Sequence, residues 1–300
     1  MSWVILALLA AAVISIANIS DKTVIHRYVK HPLTYPLLIG MVGTLSGILS
    51  FIIAGIPGTV TVETTTAALV SGALWGISGT IMIRVLFTQE VSRTIPVTQS
   101  SPIFAALLSM VFLGEHISHM QWAGIVLTVG GSIIISLHVR DVRTIFLHKS
   151  FYLLMFSALA AGISTIIGKY VLDELPILYT HALRMLGLGG VFLIFALRSP
   201  SWKEVQGFFI NRSPALIFVG VNEFITANVA FLLLLWALSE GPASLVIALM
   251  GTRSLFVILY STAITFIWQG SLGEQVSLNT VFLKVVSVAL IVAGIAGIAI

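Results

Sequence analysis

About ten apolar stretches run through this chain, near 2–20, 35–55, 67–87, 94–113, 122–138, 151–169, 178–198, 214–237, 241–268 and 281–300. Each approaches the roughly 20 residues that an α-helix needs to cross about 30 Å of hydrocarbon. A bilayer interior offers no water to an unpaired peptide group, so segments of this kind are confined to helices. The expected fold is therefore all-α and integral to a membrane, with ten transmembrane helices. Composition agrees: 58% of residues are hydrophobic and 9% charged, against roughly a quarter charged in soluble proteins.

So little chain lies between the stretches that little room is left for a soluble catalytic or nucleic-acid-binding domain. The net charge of +4 and the pI near 9.5 come largely from short flanking loops, where basic residues set orientation. Lys22, Arg27, Lys30, Arg93, Arg140, Arg143, Lys149, Arg198, Lys203 and Arg212 fall in the hairpins after the odd-numbered stretches, while the even-numbered hairpins hold Lys169. The positive-inside rule then places the odd hairpins in the cytoplasm and both termini outside a plasma (inner) membrane. The first stretch lacks a basic leader and a small-residue cleavage site, so it reads as a retained helix. With no cysteine there are no disulfides and no thiolate metal sites; no cofactor and no metal are expected.

The chain is internally duplicated. LGEHIS at 113–118 returns as LGEQVS at 272–277, ISDKTVI at the end of the first stretch is similar to IIGKYVL at the end of the sixth, and Glu90 has its counterpart in Glu240. The boundaries are 1–140 for the first copy and 150–300 for the second. Five spans per copy is an odd number, so the second copy enters the membrane upside down. Inverted repeats of this kind place a substrate site between the halves, near the midplane.

The segment TIPVTQSSPIFAALLSMVFLGEHISHMQWAGIVLTVGGSIII beginning at Thr94 resembles the end of an EamA-type repeat of the drug/metabolite transporter superfamily. It shares a proline in an apolar helix, an LGE corner and a glycine-rich last helix. ALSEGPASLVIALMGTRSLF, followed by LGEQVS, resembles it more weakly, with Arg253 standing about where Pro102 does. The resemblance implies two inverted five-helix EamA repeats and a permease that moves small polar metabolites by alternating access. An amino acid or related carboxylate, exported, is the expected substrate. Ten-helix relatives are expected to keep both termini in the cytoplasm, opposite to the charge count here. Monomer and homodimer both stay open, as does proton coupling.

Ionisable groups at bilayer depth cost about 2.5–3.5 kcal/mol each on insertion scales, so each needs a partner or a purpose. Arg184, Glu223 and Arg253 are the leading substrate-binding candidates. Glu223 lies between Asn222 and Asn228 and is suited to a proton, a substrate amine or an arginine. Two readings stand: an ion pair of Glu223 with Arg253 or Arg184 that locks helices, or a cavity lined by all three with surplus positive charge for an anion. Lys22 and Lys169 either guard opposite mouths of the path or snorkel to the interface. Gln99 and Ser101, within TQSSP at 98–102, are binding candidates beside Pro102, which would kink its helix. Their counterpart is GTRS at 251–254. Trp75 is either a cavity wall or core, His181 is a second-tier titratable group, and Arg84 is an interfacial anchor.

Glu115 and Glu274 are expected to cap the helix that follows each, using its exposed N–H groups and positive dipole end. His116 and His119 are too few for a metal site. A lipid or glycolipid flippase is the first alternative function. A membrane-embedded enzyme is the second, without an HExxH, a GxSxG or a cysteine to support it.

Overall fold

The computed structural model describes residues 2–88, 97–136, 149–196, 200–257, 259–260 and 278–299. Glu90, Arg93, Arg140, Arg143, Arg198 and Glu274 lie outside the described residues, as does the side chain of Lys22. All regular structure among the described residues is helical. In order the helices are α1 Ser2–Tyr28, α2 Thr34–Ala54, α3 Val62–Thr88, α4 Ser101–Phe112, α5 His119–Ser136, α6 Lys149–Leu172, α7 Ile177–Ala196, α8 Ser201–Ile210, α9 Pro214–Val221, α10 Asn228–Glu240, α11 Ala243–Met250 and α12 Leu278–Ala299. A π-helical turn, Asn222–Ala227, joins α9 to α10.

Six segments are long and apolar enough to cross a membrane: Trp3–Ile25, Thr34–Ala54, Val62–Val85, Lys149–Leu172, Ile177–Ala196 and Pro214–Glu240. Shorter apolar helices cover Ser101–Phe112, Ala243–Val257 and Val285–Ala299. The outer surface is what lipid requires and water would penalise: Ile53 is 75% exposed, Val111 75% and Ile194 71%, among many large apolar side chains left outside.

Where helices meet, small residues replace large ones. Gly40 and Gly47 of α2 face Gly189 and Ala182 of α7. A Cβ on Gly124 of α5 would stand 2.8 Å from the Gly294 carbonyl of α12, and one on Gly294 would stand 2.7 Å from the Gly124 carbonyl. Backbones that close bring dispersion contacts and Cα–H···O contacts that association in lipid relies on. Gly124, Gly131, Gly294 and Gly297 thus serve close packing between α5 and α12, while Gly130 faces open space. Between α3 and α6, Ser71 Oγ donates to Ser164 O and Ser164 Oγ to Ser71 O, each at 2.7 Å, and Ser157 Oγ donates to Ser78 O at 2.9 Å. These registers run antiparallel.

Helix pairing has an internal order. The second stretch packs on the seventh, the fifth on the tenth and the fourth on the ninth. The third meets the sixth and the eighth meets the first; the fourth also meets the sixth, and the ninth the first. Moving every stretch by five positions maps the first three pairs onto themselves and exchanges the other four in twos.

Glu115 caps a helix, but not the one that follows it. Its Oε1 accepts from Ala243 N at 2.6 Å, and its Oε2 accepts from Ser244 N at 3.1 Å and Ser244 Oγ at 2.5 Å. The carboxylate therefore sits on the N-terminus of α11, in the other half of the chain. The start of α5 is closed locally by a capping box, with Ser118 N donating to Gln121 Oε1 at 3.0 Å and Gln121 N to Ser118 Oγ at 3.2 Å. With its own neighbour already capped, the glutamate is free to tie α4 to α11.

Removing the Glu115 carboxylate strands two N–H groups in apolar surroundings. Glu115→Ala should destabilise the protein by roughly 2–3 kcal/mol and Glu115→Gln by less, because the amide keeps one acceptor. Thermal unfolding of the purified variants reads both.

Candidate functional site

A cavity of about 170 Å³ lies between α3, the start of α4, α6, α10 and the end of α11, with Trp75, Thr98, Gln99, Ser101, Thr165 and Arg253 among its lining. The two patches singled out in the sequence meet here. Arg253 Nη2 donates to Gln99 Oε1 at 3.0 Å, and Gln99 Nε2 donates to Ser254 Oγ at 3.0 Å. Pro102 does not kink a continuous helix: it occupies the first turn of α4, where its missing N–H has no helical partner to lose. The turn at Gln99 and Ser100 before it lets Gln99 reach across to Arg253. Among the described residues no carboxylate bonds to Arg253. Its partner is a neutral amide, which orients the guanidinium without cancelling its charge.

Arg184 is 2% exposed and sits behind the cavity wall. Its guanidinium lies 5.1 Å from the Trp75 ring centroid, and Nη2 is 3.5 Å from Ser164 Oγ, at the limit of a hydrogen bond. Nη1 is buried with no acceptor among the described residues. The group fits only because residue 168 is glycine, since a Cβ there would fall on Nη1. Trp75 presents one side to Arg184 and lines the cavity with another, and it packs edge-on against Phe231 at 4.8 Å.

Glu223 pairs with neither arginine. The π-turn places Asn222 and Glu223 toward α1 and α2, where Tyr35 Oη hydrogen-bonds Asp21 Oδ1 and lies 3.0 Å from Glu223 Oε1. Asn222 Nδ2 donates to Asp21 Oδ1 at 2.5 Å and to Glu223 Oε1 at 3.2 Å. Glu223 therefore stands in an acidic cluster, because the arginines face a different set of helices.

A π-turn leaves carbonyls without their usual i+4 donors, and Asn228 meets two of them. Its Nδ2 donates to Glu223 O at 2.8 Å and Phe224 O at 3.2 Å. That fixes the amide orientation, so Oδ1 is the acceptor for Ser46 Oγ at 2.7 Å and for His181 Nε2 at 2.8 Å. His181 is then the Nε2–H tautomer with a bare, buried Nδ1. Asn228 and His181 are thus parts of the support of the π-turn, one step removed from the acidic cluster.

Gln99, Ser101, Trp75 and Arg253 share the cavity, Arg184 lies against its wall, and Asn222 and Glu223 belong to the second cluster. Lys169 is elsewhere: Nζ donates to Leu238 O at 2.7 Å and is 3.9 Å from Asp173, where a cation suits the C-terminal end of α10. Arg84 is exposed, 5.6 Å over the Phe195 ring, as an interfacial anchor would be. Sequence reasoning missed Asp21 and Tyr35. Asp21 lies beside Lys22 near the end of its stretch and reads as a flanking charge; the signal available was a carboxylate still inside the run of helical apolar residues.

A family model described as the EamA-like transporter family matches residues 1–137 and 148–300. The chain belongs to that family, and so to a class of integral membrane transporters. A solved crystal structure aligns with it at a TM-score of 0.68 and 14% identity, covering 98% of this chain and 94% of the other, a likeness of fold. No curated protein sequence matches.

The seat of Arg184 yields a test. Gly168→Ala should destabilise by about 1–3 kcal/mol through overpacking against the guanidinium. The same substitution in an Arg184→Met background should cost markedly less, a non-additivity read by thermal unfolding of the four proteins in the cycle.

Proposed function

We propose that the protein is a secondary transporter that moves a small polar metabolite carrying a carboxylate, an amino acid or a close relative, by alternating access, with export as its direction. The observation that carries this reading is Arg253, a cation in a cavity whose described partner is the neutral amide of Gln99. A charge in low dielectric that is oriented but not neutralised favours an anion strongly. The hydroxyls of Thr98, Ser101 and Thr165 around it supply neutral hydrogen-bonding groups for the rest of a small polar molecule. A volume of about 170 Å³ favours a metabolite over the headgroup and chains of a flipped lipid.

Alternating access in this reading comes from two five-helix repeats, 1–140 and 150–300, inserted in opposite directions to give ten spans. The exchange order of the helix contacts supports that division. The cavity lies where the fourth and ninth stretches meet, at the interface such repeats use for substrate. The odd-numbered hairpins face the cytoplasm of a plasma (inner) membrane, as loop charge favours, and the proton is the coupling ion.

The test is a thermal-shift screen of purified protein against amino acids, organic acids, sugars and amines, with Arg253→Ala beside the wild type. A carboxylate at 100 times its Kd should stabilise the wild type by about 2.7 kcal/mol and leave folded Arg253→Ala unmoved. Stabilisation by sugars or amines, equal in both proteins, would overturn the carboxylate assignment.

A further inference from the structure

The acidic cluster has fewer donors than its geometry uses. Tyr35 is 2% exposed and Asn222 4%, so bulk water does not serve these two groups, while Asp21 and Glu223 are half-buried. The Tyr35 hydroxyl carries one proton yet stands within hydrogen-bond distance of both Asp21 Oδ1 and Glu223 Oε1. Asn222 Nδ2 has two protons and faces three acceptors, the same two oxygens and, at 3.4 Å, Ala17 O. On its other side Asn222 Oδ1 is buried without a donor among the described residues. Acceptors therefore outnumber donors: two carboxyl groups and an amide oxygen against one hydroxyl and one NH2 group.

Among the described side chains no cation bonds to the pair: Arg27 of α1 is exposed, and the side chain of Lys22, next to Asp21, lies outside the described residues. α1 contributes Asp21, α2 contributes Tyr35, and α9 and α10 add no ionisable side chain that bonds to the pair. His181 of α7 reaches the turn only through Asn228. Two ionised carboxylates whose oxygens share the same two donors would repel at close range. One proton removes the conflict: Tyr35 donates to Asp21, and a protonated Glu223 donates to Tyr35 Oη. Every short contact then has a hydrogen in it, and the pair keeps a single negative charge.

We propose that Asp21 and Glu223 share one exchangeable proton, held between them by Tyr35 and Asn222, and that this pair is the proton-binding site of the protein. Its use in coupling rests on the transport reading above; the binding of the proton does not. Three separate helical segments supply the groups, so a motion of the π-turn relative to α1 and α2 changes the number of shared donors and with it the hold on the proton. Proton release and helix movement are linked by that geometry.

The experiment is infrared difference spectroscopy of the full chain in liposomes, titrated from acid through neutral to alkaline pH in H2O and in D2O, without any substrate. The wild type is expected to show the C=O band of one buried carboxylic acid at neutral pH, shifted in D2O. Glu223→Gln should lose that band, Asp21→Asn should lose it or move its titration, and Tyr35→Phe should keep it at a shifted frequency. A wild type without the band at neutral pH would overturn the proposal, and this arm needs no variant to fold. So would a band that persists in both Glu223→Gln and Asp21→Asn. If the band is absent and Na+, but not K+, raises the melting temperature, the pair holds a metal cation instead and the proton assignment fails. Because no substrate is present, these outcomes are independent of whether any carboxylate binds at Arg253.

Discussion

In hydrocarbon no water stands ready to accept or donate a hydrogen bond, so each polar group must find its partner inside the protein. That requirement organises the described structure. The N-terminus of α11, the start of a stretch that enters the membrane, is met by Glu115 from the other half of the chain. The C-terminal end of α10 is met by Lys169, and the carbonyls loosened by the π-turn are met by Asn228. The first two of these are long-range contacts and the third is local, so at the ends of α10 and α11 satisfying the backbone and assembling the bundle are one process. The Glu115 carboxylate, in particular, makes the corner of α4 a structural element of α11.

The same requirement separates the polar interior into two regions of opposite character. Around Arg253 the groups are a guanidinium, an amide and hydroxyls, and among the described residues no carboxylate bonds to the arginine. Around Glu223 the groups are two carboxyls, a phenol and an amide. Had the charges paired as an arginine–glutamate bridge, they would have cancelled and served chiefly to hold helices together. Kept apart, they leave one region deficient in negative charge and another deficient in protons, the combination on which the proposed function is built. Arg184 belongs to neither region: it is walled off by Trp75 and seated against Gly168.

Much of the fold was legible because its signals are local. Length and hydropathy mark the described apolar stretches as helices, and the glycine-rich helix of the EamA-like segment holds Gly131, which closes on α12. The site was legible in part. Gln99, Ser101 and Arg253 were recognisable as polar groups within apolar runs, and so was Glu223. The partner of Glu223 was not recognisable, and neither was the role of Tyr35, since a tyrosine near a helix start reads as an interfacial anchor. Pro102 reads as a kink in sequence because nothing there shows that α4 begins beside it.

The sequence by itself determined the solvent, the helical character of the apolar stretches and the family, since these follow from the composition and order of residues along single stretches. Only the tertiary structure decided which polar groups meet: Gln99 with Arg253, Asp21 with Glu223, Glu115 with α11. The physical reason lies in the solvent. In water a helix declares its buried face by polarity, whereas in a bilayer the lipid-facing and protein-facing sides are equally apolar. Ile53 on the outside and Leu37 in the core look alike in sequence, so the facing of each helix, and with it every partner choice, is settled by close packing at glycines and by the matching of buried donors to acceptors.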